Sequence, residues 1–161
     1  MTEPVIDRAN PVIVYTDGAC DPNPGFGGWA AILMYNGHMK ELSGGEAHST
    51  NNRMEMMAAI KALEALKRPC AVIVNTDSEY LKRGVTEWMP KWRRFNWRRK
   101  GGELKNLELW QRIDELTRRH DIQWQWVRGH AGNPLNERCD ELANAEVRYQ
   151  KARGRRSAGD K

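Results

Sequence analysis

Two short stretches decide the fold: Val12-Ile13-Val14-Tyr15, running into Thr16-Asp17-Gly18, and Ala71-Val72-Ile73-Val74, leading to Thr76-Asp77-Ser78. Each is a β-branched, apolar run that reads as a short buried strand, and each stops at Thr-Asp. Between them, residues 50–67 contain neither Gly nor Pro. They are rich in Ala, Met, Leu, Glu and Lys, and open on the capping candidates Thr50, Asn51 and Asn52, which predicts a helix. Pro69 ends it. A strand, a helix and a second strand in that order imply a parallel pair and hence an α/β fold.

Working outward, residues 1–11 read as a loose lead-in. Asp21 to Gly28 reads as a turn-rich loop, and the apolar run Trp29–Tyr35 meets Asn36-Gly37, a strong hairpin signal giving two antiparallel strands. Residues 78–120 read as helical pieces interrupted around Pro90 and Gly101-Gly102, with an apolar stripe of Leu107, Trp110, Ile113 and Leu116. Ile122, Trp124 and Trp126 alternate as a strand. Residues 128–134 form a Gly-containing loop, and a last helix runs from Leu135 to Tyr149. The Arg/Gly/Ser tail, residues 150–161, is expected to be disordered, leaving one domain over 1–149. There is no internal repeat.

The chain has 161 residues, 40% of them hydrophobic, enough for one domain with a core. Its apolar runs fall far short of the roughly 20 residues that span a bilayer, and no basic-then-apolar leader opens it, so a cytoplasmic protein is expected. Cys20, Cys70 and Cys139 are odd in number and widely spaced, without a C-x-x-C pair, which suggests neither a disulfide framework nor a zinc site and fits reduced thiols. The net charge of +5 is unevenly placed. Residues 91–100 carry six bases and no acid, and the tail from Arg148 carries six bases against Asp160. Removing these +6 and +5 contributions leaves −6 for the remainder. An acidic body with two basic appendages suggests a polyanionic partner.

Carboxylates occupy positions where a core is expected. On a helical wheel Glu55 lies within roughly 60° of Ala58, Ala59, Ala62 and Leu66, opposite the charged face of Lys61, Glu64, Lys67 and Arg68. The ordinary reading is that Glu55, near the helix start, reaches solvent or a neighbouring Arg. Asp17 and Asp77, however, follow buried strands at the carboxyl ends where open α/β sheets hold ligands. Parallel neighbours would bring those ends about 4.8 Å apart, and the joining helix would carry Glu55 across them. Such a cluster suits hard divalent cations. Asp140 in the last helix offers a fourth carboxylate, and His130 in the preceding loop could move protons near neutral pH, although a lone loop His is ordinarily only exposed. His38, His48 and His120 carry no stronger reading than surface residues. Gly25, Gly27 and Gly28 lack the spacing of a dinucleotide loop.

The ordered motifs Tyr-Thr-Asp17-Gly-Ala-Cys20, Thr50-Asn51-Asn52-Arg-Met-Glu55, Thr-Asp77-Ser, and Gly-His130-Ala-Gly through Asn-Glu-Arg-Cys-Asp140-Glu-Leu-Ala resemble bacterial type 1 ribonuclease H over roughly residues 12–145. The resemblance implies a five-stranded mixed sheet flanked by helices on both sides, with a basic protrusion. It also implies a site of Asp17, Glu55, Asp77 and Asp140 holding two Mg²⁺ ions, for which Mn²⁺ substitutes, with His130 on the adjoining loop. The implied activity is hydrolysis of the RNA strand of RNA/DNA hybrids, leaving 5′-phosphate and 3′-hydroxyl ends. Hybrid contacts carry over to Cys20, Asn23, Asn51, Asn52 and the neighbourhood of Glu79, with Thr50 and Asn23 near a DNA phosphate. Glu79 departs from the Gln frequent there. The segment Trp88, Trp92, Arg93, Arg94, Trp97, Arg98, Arg99 and Lys100 corresponds to the protrusion that clamps the DNA strand, its tryptophans also packing it to the body. A monomer is expected. The competing reading is a module that binds hybrids without cutting them; it would not require the full acidic set.

Overall fold

The computed structural model describes residues 6–97, 105–127 and 133–159, with side chains described as far as residue 155. Five strands form one mixed sheet in the order β3-β2-β1-β4-β5. They are β1 (Val12–Asp21), β2 (Gly25–Tyr35), β3 (His38–Ser49), β4 (Ala71–Thr76) and β5 (Asp121–Trp126). β1 to β3 form an antiparallel meander, while β4 pairs parallel to both β1 and β5. The β2–β3 hairpin turns on Asn36 and Gly37, whose φ angles of 50° and 79° are those of a primed two-residue turn. Among the described residues no helix is long and apolar enough to cross a membrane.

Two neighbouring glycines locate the helical layers. A Cβ on Gly27 would strike Met54 of α1 (Asn51–Glu64), and one on Gly28 would strike Ala143 and Glu146 of α5 (Pro134–Gly159). Successive strand residues face opposite sides, so α1 and α5 cover opposite faces of the sheet. The main core lies on the α1 side. Val12, Val14, Ala31, Leu33, Val72 and Val74 pack there against Met56, Ala59 and Leu63, and against Trp110 and Ile113 of α4 (Leu107–Arg119).

The structure moves several expected boundaries. Thr16-Asp17-Gly18 does not end β1: its parallel pairing with β4 ends at Tyr15 opposite Asn75, but antiparallel pairing with β2 continues to Asp21. β2 begins at Gly25 and leaves residues 22–24 as the connection. α1 ends at Glu64 rather than Lys67. Pro90 interrupts nothing. α2 (Glu79–Arg83), a π-helical turn (Gly84–Trp88) and α3 (Met89–Arg94) run on without a break, with Pro90 in the first turn of α3, where a missing N–H is tolerated.

Residues 7–10 of the lead-in are exposed yet tied to the body, Arg8 pairing with Asp121 and Asn10 with Asn36. The last helix passes Tyr149 and runs to Gly159, correcting the expected disorder at 150–159. Its extra turns have partners that composition does not reveal: Gln150 is buried beside Gly45, Lys151 pairs with Asp21, and Gly154 lies against the Phe26 ring. His120, expected at the surface, is buried. Its Nδ1 accepts from the Cys70 amide, and its Nε2 has no partner among the described residues.

Two predictions follow from this packing. A Cβ on Gly84 would lie 1.9 Å from the Trp110 ring, so Gly84→Ala is expected to lower stability by about 2 kcal/mol or more in urea unfolding. Burial, then the charge of Arg119, holds His120 below its ordinary pKa, so the unfolded chain takes up a proton there before the folded protein does. Stability contributed by the neutral ring is complete above about pH 6.5 and declines as pH falls towards the folded value. The thermal midpoint should drop more between pH 7 and 5 in the wild type than in His120→Asn, and equal slopes would remove His120 as the cause.

Candidate active site

Asp17 and Asp77 each lie two residues beyond the last β1–β4 pair, Tyr15 with Asn75, and equal offsets put both on the same side of the sheet. α1 meets β1 at the next residue, Gly18. A Cβ on Gly18 would sit 2.5 Å from the Glu55 nitrogen, so only glycine lets the first turn of α1 approach β1 this closely. Thr50 caps that turn by accepting from the Arg53 amide. The outcome is a trio: Asp17, Glu55 and Asp77 each offer an oxygen, all within 4.8 Å of one another.

Asp17 and Glu55 are buried, at 4% and 5% exposure, and Asp77 is half-buried. Asp17 Oδ1 accepts from the Gly18 amide. Burial first, and then the negative charges of Asp17 and Asp77, push the Glu55 carboxyl well above the usual carboxylate range. Glu55 Oε2 has no hydrogen-bond partner among the described residues. A buried carboxylate with one unsatisfied oxygen, in a cluster with two further carboxylates, fits a hard divalent cation, which would supply the missing positive charge. Beneath the trio the Cys139 thiol donates to the Tyr15 carbonyl. Burial and the neighbouring acids push its pKa up to about 12, so it stays a neutral thiol.

The trio floors a polar cleft of about 390 Å³ lined also by Gly18, Asn51, Asn52, Ser78, Glu79, Tyr80 and Asp140. Asp140 therefore reaches the same cleft while remaining outside the tight trio; its Oδ1 accepts from Asn144 one turn along α5. Asn51 and Asn52 border the cleft at the start of α1. Asn23 Oδ1 accepts from the Asn51 amide, fastening the β1–β2 connection to the same turn. Cys20 Sγ contacts the carbonyls of Pro22 and Ser49, and burial raises its pKa. Glu79 is exposed at the start of α2, where Ser78 caps the helix. His130, Arg98, Arg99 and Lys100 lie outside the described residues.

Trp88, Trp92 and Trp97 join Tyr80 and Trp110 in one aromatic cluster with ring centroids 5.3–6.2 Å apart, so packing accounts for much of their surface. Arg94 is exposed. Arg93, expected in the segment that clamps the DNA strand, pairs with Asp114 of α4, whose side chain is 6% exposed and which Arg118 also contacts. A buried carboxylate holds a guanidinium more firmly than solvent does, which gives Arg93 an anchoring position. Sequence reading missed Asp114. The available signal was its place one turn after Trp110 on a strongly amphipathic helix. It also missed Gly18, whose signal was its position directly after Asp17.

A profile of the RNase H family matches residues 9–148. The chain belongs to the RNase H family. It is 58% identical over 140 residues to the ribonuclease H of Thiobacillus denitrificans, covering 86% of this chain and 95% of that protein. It is equally identical over 139 residues to the ribonuclease H of Xanthomonas oryzae pv. oryzae, covering 86% and 93%. Among solved structures it resembles LC9-RNase H1, a type 1 RNase H with the type 2 active-site motif. The TM-score is 0.78 at 33% identity, covering 87% of this chain and 74% of that one. The five-stranded mixed sheet and its flanking helices are those of an RNase H fold, and dependence on metal ions is general in the RNase H family.

The repulsion among the trio predicts a trade between stability and metal binding. In EDTA, Glu55→Gln should gain about 1 kcal/mol, or about 2–4 °C in thermal midpoint, because a buried charge conflict is removed. Mg²⁺ or Mn²⁺ should raise the wild-type midpoint and leave that of Glu55→Gln nearly unchanged. Scanning calorimetry with and without metal checks both.

Proposed function

We propose that this chain is an endoribonuclease that hydrolyses the RNA strand of RNA/DNA hybrids, acting as a cytoplasmic monomer. The observation that carries the reading is the trio of Asp17, Glu55 and Asp77, with the partnerless Glu55 oxygen buried inside it and Asp140 beside it. Support also comes from the ribonuclease H relatives that match nearly their full length.

Asp17, Glu55, Asp77 and Asp140 would hold two Mg²⁺ ions, with Mn²⁺ able to replace them. When bound, such ions activate a water and stabilise the leaving 3′ oxygen, giving 5′-phosphate and 3′-hydroxyl ends. The chain's own groups set the geometry. Gly18 and the Thr50 cap fix the height of Glu55 over β1, and the equal register of Asp17 and Asp77 fixes their separation. The four carboxylates repel a bare phosphodiester, so substrate is admitted only where that charge is offset.

Telling RNA from DNA requires groups that detect a 2′-hydroxyl. Asn51 and Asn52 at the cleft, with Asn23 and the neutral Cys20 thiol on the adjoining connection, offer short donors and acceptors for that task. Thr50 and Asn23 are assigned to a DNA phosphate. Glu79 offers only acceptors when ionised and engages a sugar hydroxyl or base donor. Trp88, Trp92, Arg93, Arg94, Trp97, Arg98, Arg99 and Lys100 make up the protrusion on the DNA strand, and His130 moves a proton or speeds product departure.

The test incubates the protein with RNA/DNA, RNA/RNA and DNA/DNA duplexes, with and without Mg²⁺, alongside Asp17→Asn. Cutting should be confined to the RNA of the hybrid, require metal, and fall by at least about a thousandfold in Asp17→Asn. Tight hybrid binding by the wild type with no cleavage in Mg²⁺ or Mn²⁺ would overturn the reading in favour of a binding module.

A further inference from the structure

The last turns of α5 lie beyond the family match, which ends at residue 148. From 147 to 159 the helix carries Arg148, Lys151, Arg153, Arg155 and Arg156 and no acid. Its inward side is set by Ala143, Val147, Gln150 and Gly154, which are buried or packed against the sheet. At about 100° per residue Lys151 falls on one edge of that side, with Arg148 and Arg155 within about 60° of it. The three span about 10 Å of helix. Lys151 is half-buried and donates to Asp21 at 2.6 Å. Arg148 and Arg155 are exposed, and neither is ion-paired among the described residues. Arg153 sits on the opposite edge, its guanidinium 5.7 Å from the Tyr149 ring.

The edge bearing Arg148 and Arg155 is therefore turned towards the β1–β2 connection. Asp21 is four strand residues beyond Asp17, about 13 Å along β1. Asn23 in that connection is hydrogen-bonded to Asn51, which borders the acidic cleft. A duplex lying over the cleft presents about four phosphates per strand in 13 Å of its axis, so its backbone reaches this edge within a few nucleotides of the acids. The cleft repels phosphate, and attraction must come from its flanks. α3, which continues the helical run that α2 begins at the cleft with Glu79 and Tyr80, carries the exposed bases Lys91 and Arg94.

We propose that Arg148 and Arg155 form a second phosphate-binding strip, held in place by the Lys151–Asp21 pair and the Gly154–Phe26 contact, that grips the backbone of the hybrid a few nucleotides from the cut. The occupant is the substrate's own duplex, so the inference deepens the reading given under the proposed function and rests on it.

The experiment compares the wild type, R148Q/R155Q and R153Q. Binding to a long hybrid is read by fluorescence anisotropy in EDTA across a salt series, and steady-state cleavage is read in Mg²⁺. R148Q/R155Q should reduce the logarithmic salt slope by about 1 to 2, raise Kd and KM by about fivefold or more, and leave kcat unchanged. R153Q, on the opposite edge, should match the wild type. Unchanged thermal midpoints establish that both variants fold. A wild-type slope in R148Q/R155Q would overturn the strip, and so would an equal loss in R153Q, since net charge alone would then explain it. A wild type that binds with the stated slope loss on mutation but cuts nothing would sink the cleavage reading and leave the strip standing.

Discussion

The contact between Gly18 of β1 and the backbone of α1 at Met54 and Glu55 holds the rest of the site in place. A helix crossing a sheet normally keeps its distance through interleaved side chains; here a missing side chain lets backbone meet backbone. That approach drives Glu55 into the angle between two aspartates and away from water. The sheet cannot yield, because β1 is paired on both sides up to Tyr15 and on the β2 side as far as Asp21. The helix cannot withdraw, because its own Met54, Met56, Ala58 and Ala59 are fully buried, packed with side chains of the sheet. Packing between α1 and the sheet thus maintains a charge arrangement that electrostatics opposes.

Much of this was readable from the chain. The two Thr-Asp strand endings, the Gly- and Pro-free helix between them and the inward direction of Glu55 led to a parallel pair with converging carboxylates, and the order of motifs led to the family. The readings that missed depended on distant partners. β1 continues past Asp17 because β2 returns alongside it, and nothing local to Thr16-Asp17-Gly18 carries that information. Pro90 lies within a continuous helical run because a widened turn precedes it at Gly84, where Trp110 of another helix demands the space. The last turns of α5 look disordered by composition and are helical because Phe26, Gly45 and Asp21 receive them. His120 is buried by a contact with Cys70 across fifty residues. Local propensity sets a default, and long-range contacts revise it.

The electrostatic design separates attraction from chemistry. Among the described residues, none of the side chains lining the cleft is basic. Exposed bases lie instead on α3 and α5. One of them, Arg93, pairs with Asp114, so part of the charge on α3 braces that helix against α4. Aromatic rings do the rest of the bracing, joining α2, α3 and α4 through Tyr80, Trp88, Trp92 and Trp110. These contacts keep the bases of α3 at a fixed distance from the acids of the cleft.

α5 covers the second face of the sheet, and it follows all five strands in chain order. Asp17, Glu55 and Asp77 all precede residue 78, so a growing polypeptide possesses the trio long before the apolar surface under Ala30 and Ile32 is covered by Cys139, Ala143 and Val147. During synthesis the half-built sheet exposes that surface and lacks Asp140, whose helix both seals the fold and brings a fourth carboxylate to the cleft. One late segment performing both tasks ties competence to completion: a nascent or prematurely truncated chain has neither a closed core nor a finished site, and presents itself to chaperones and proteases as unfinished.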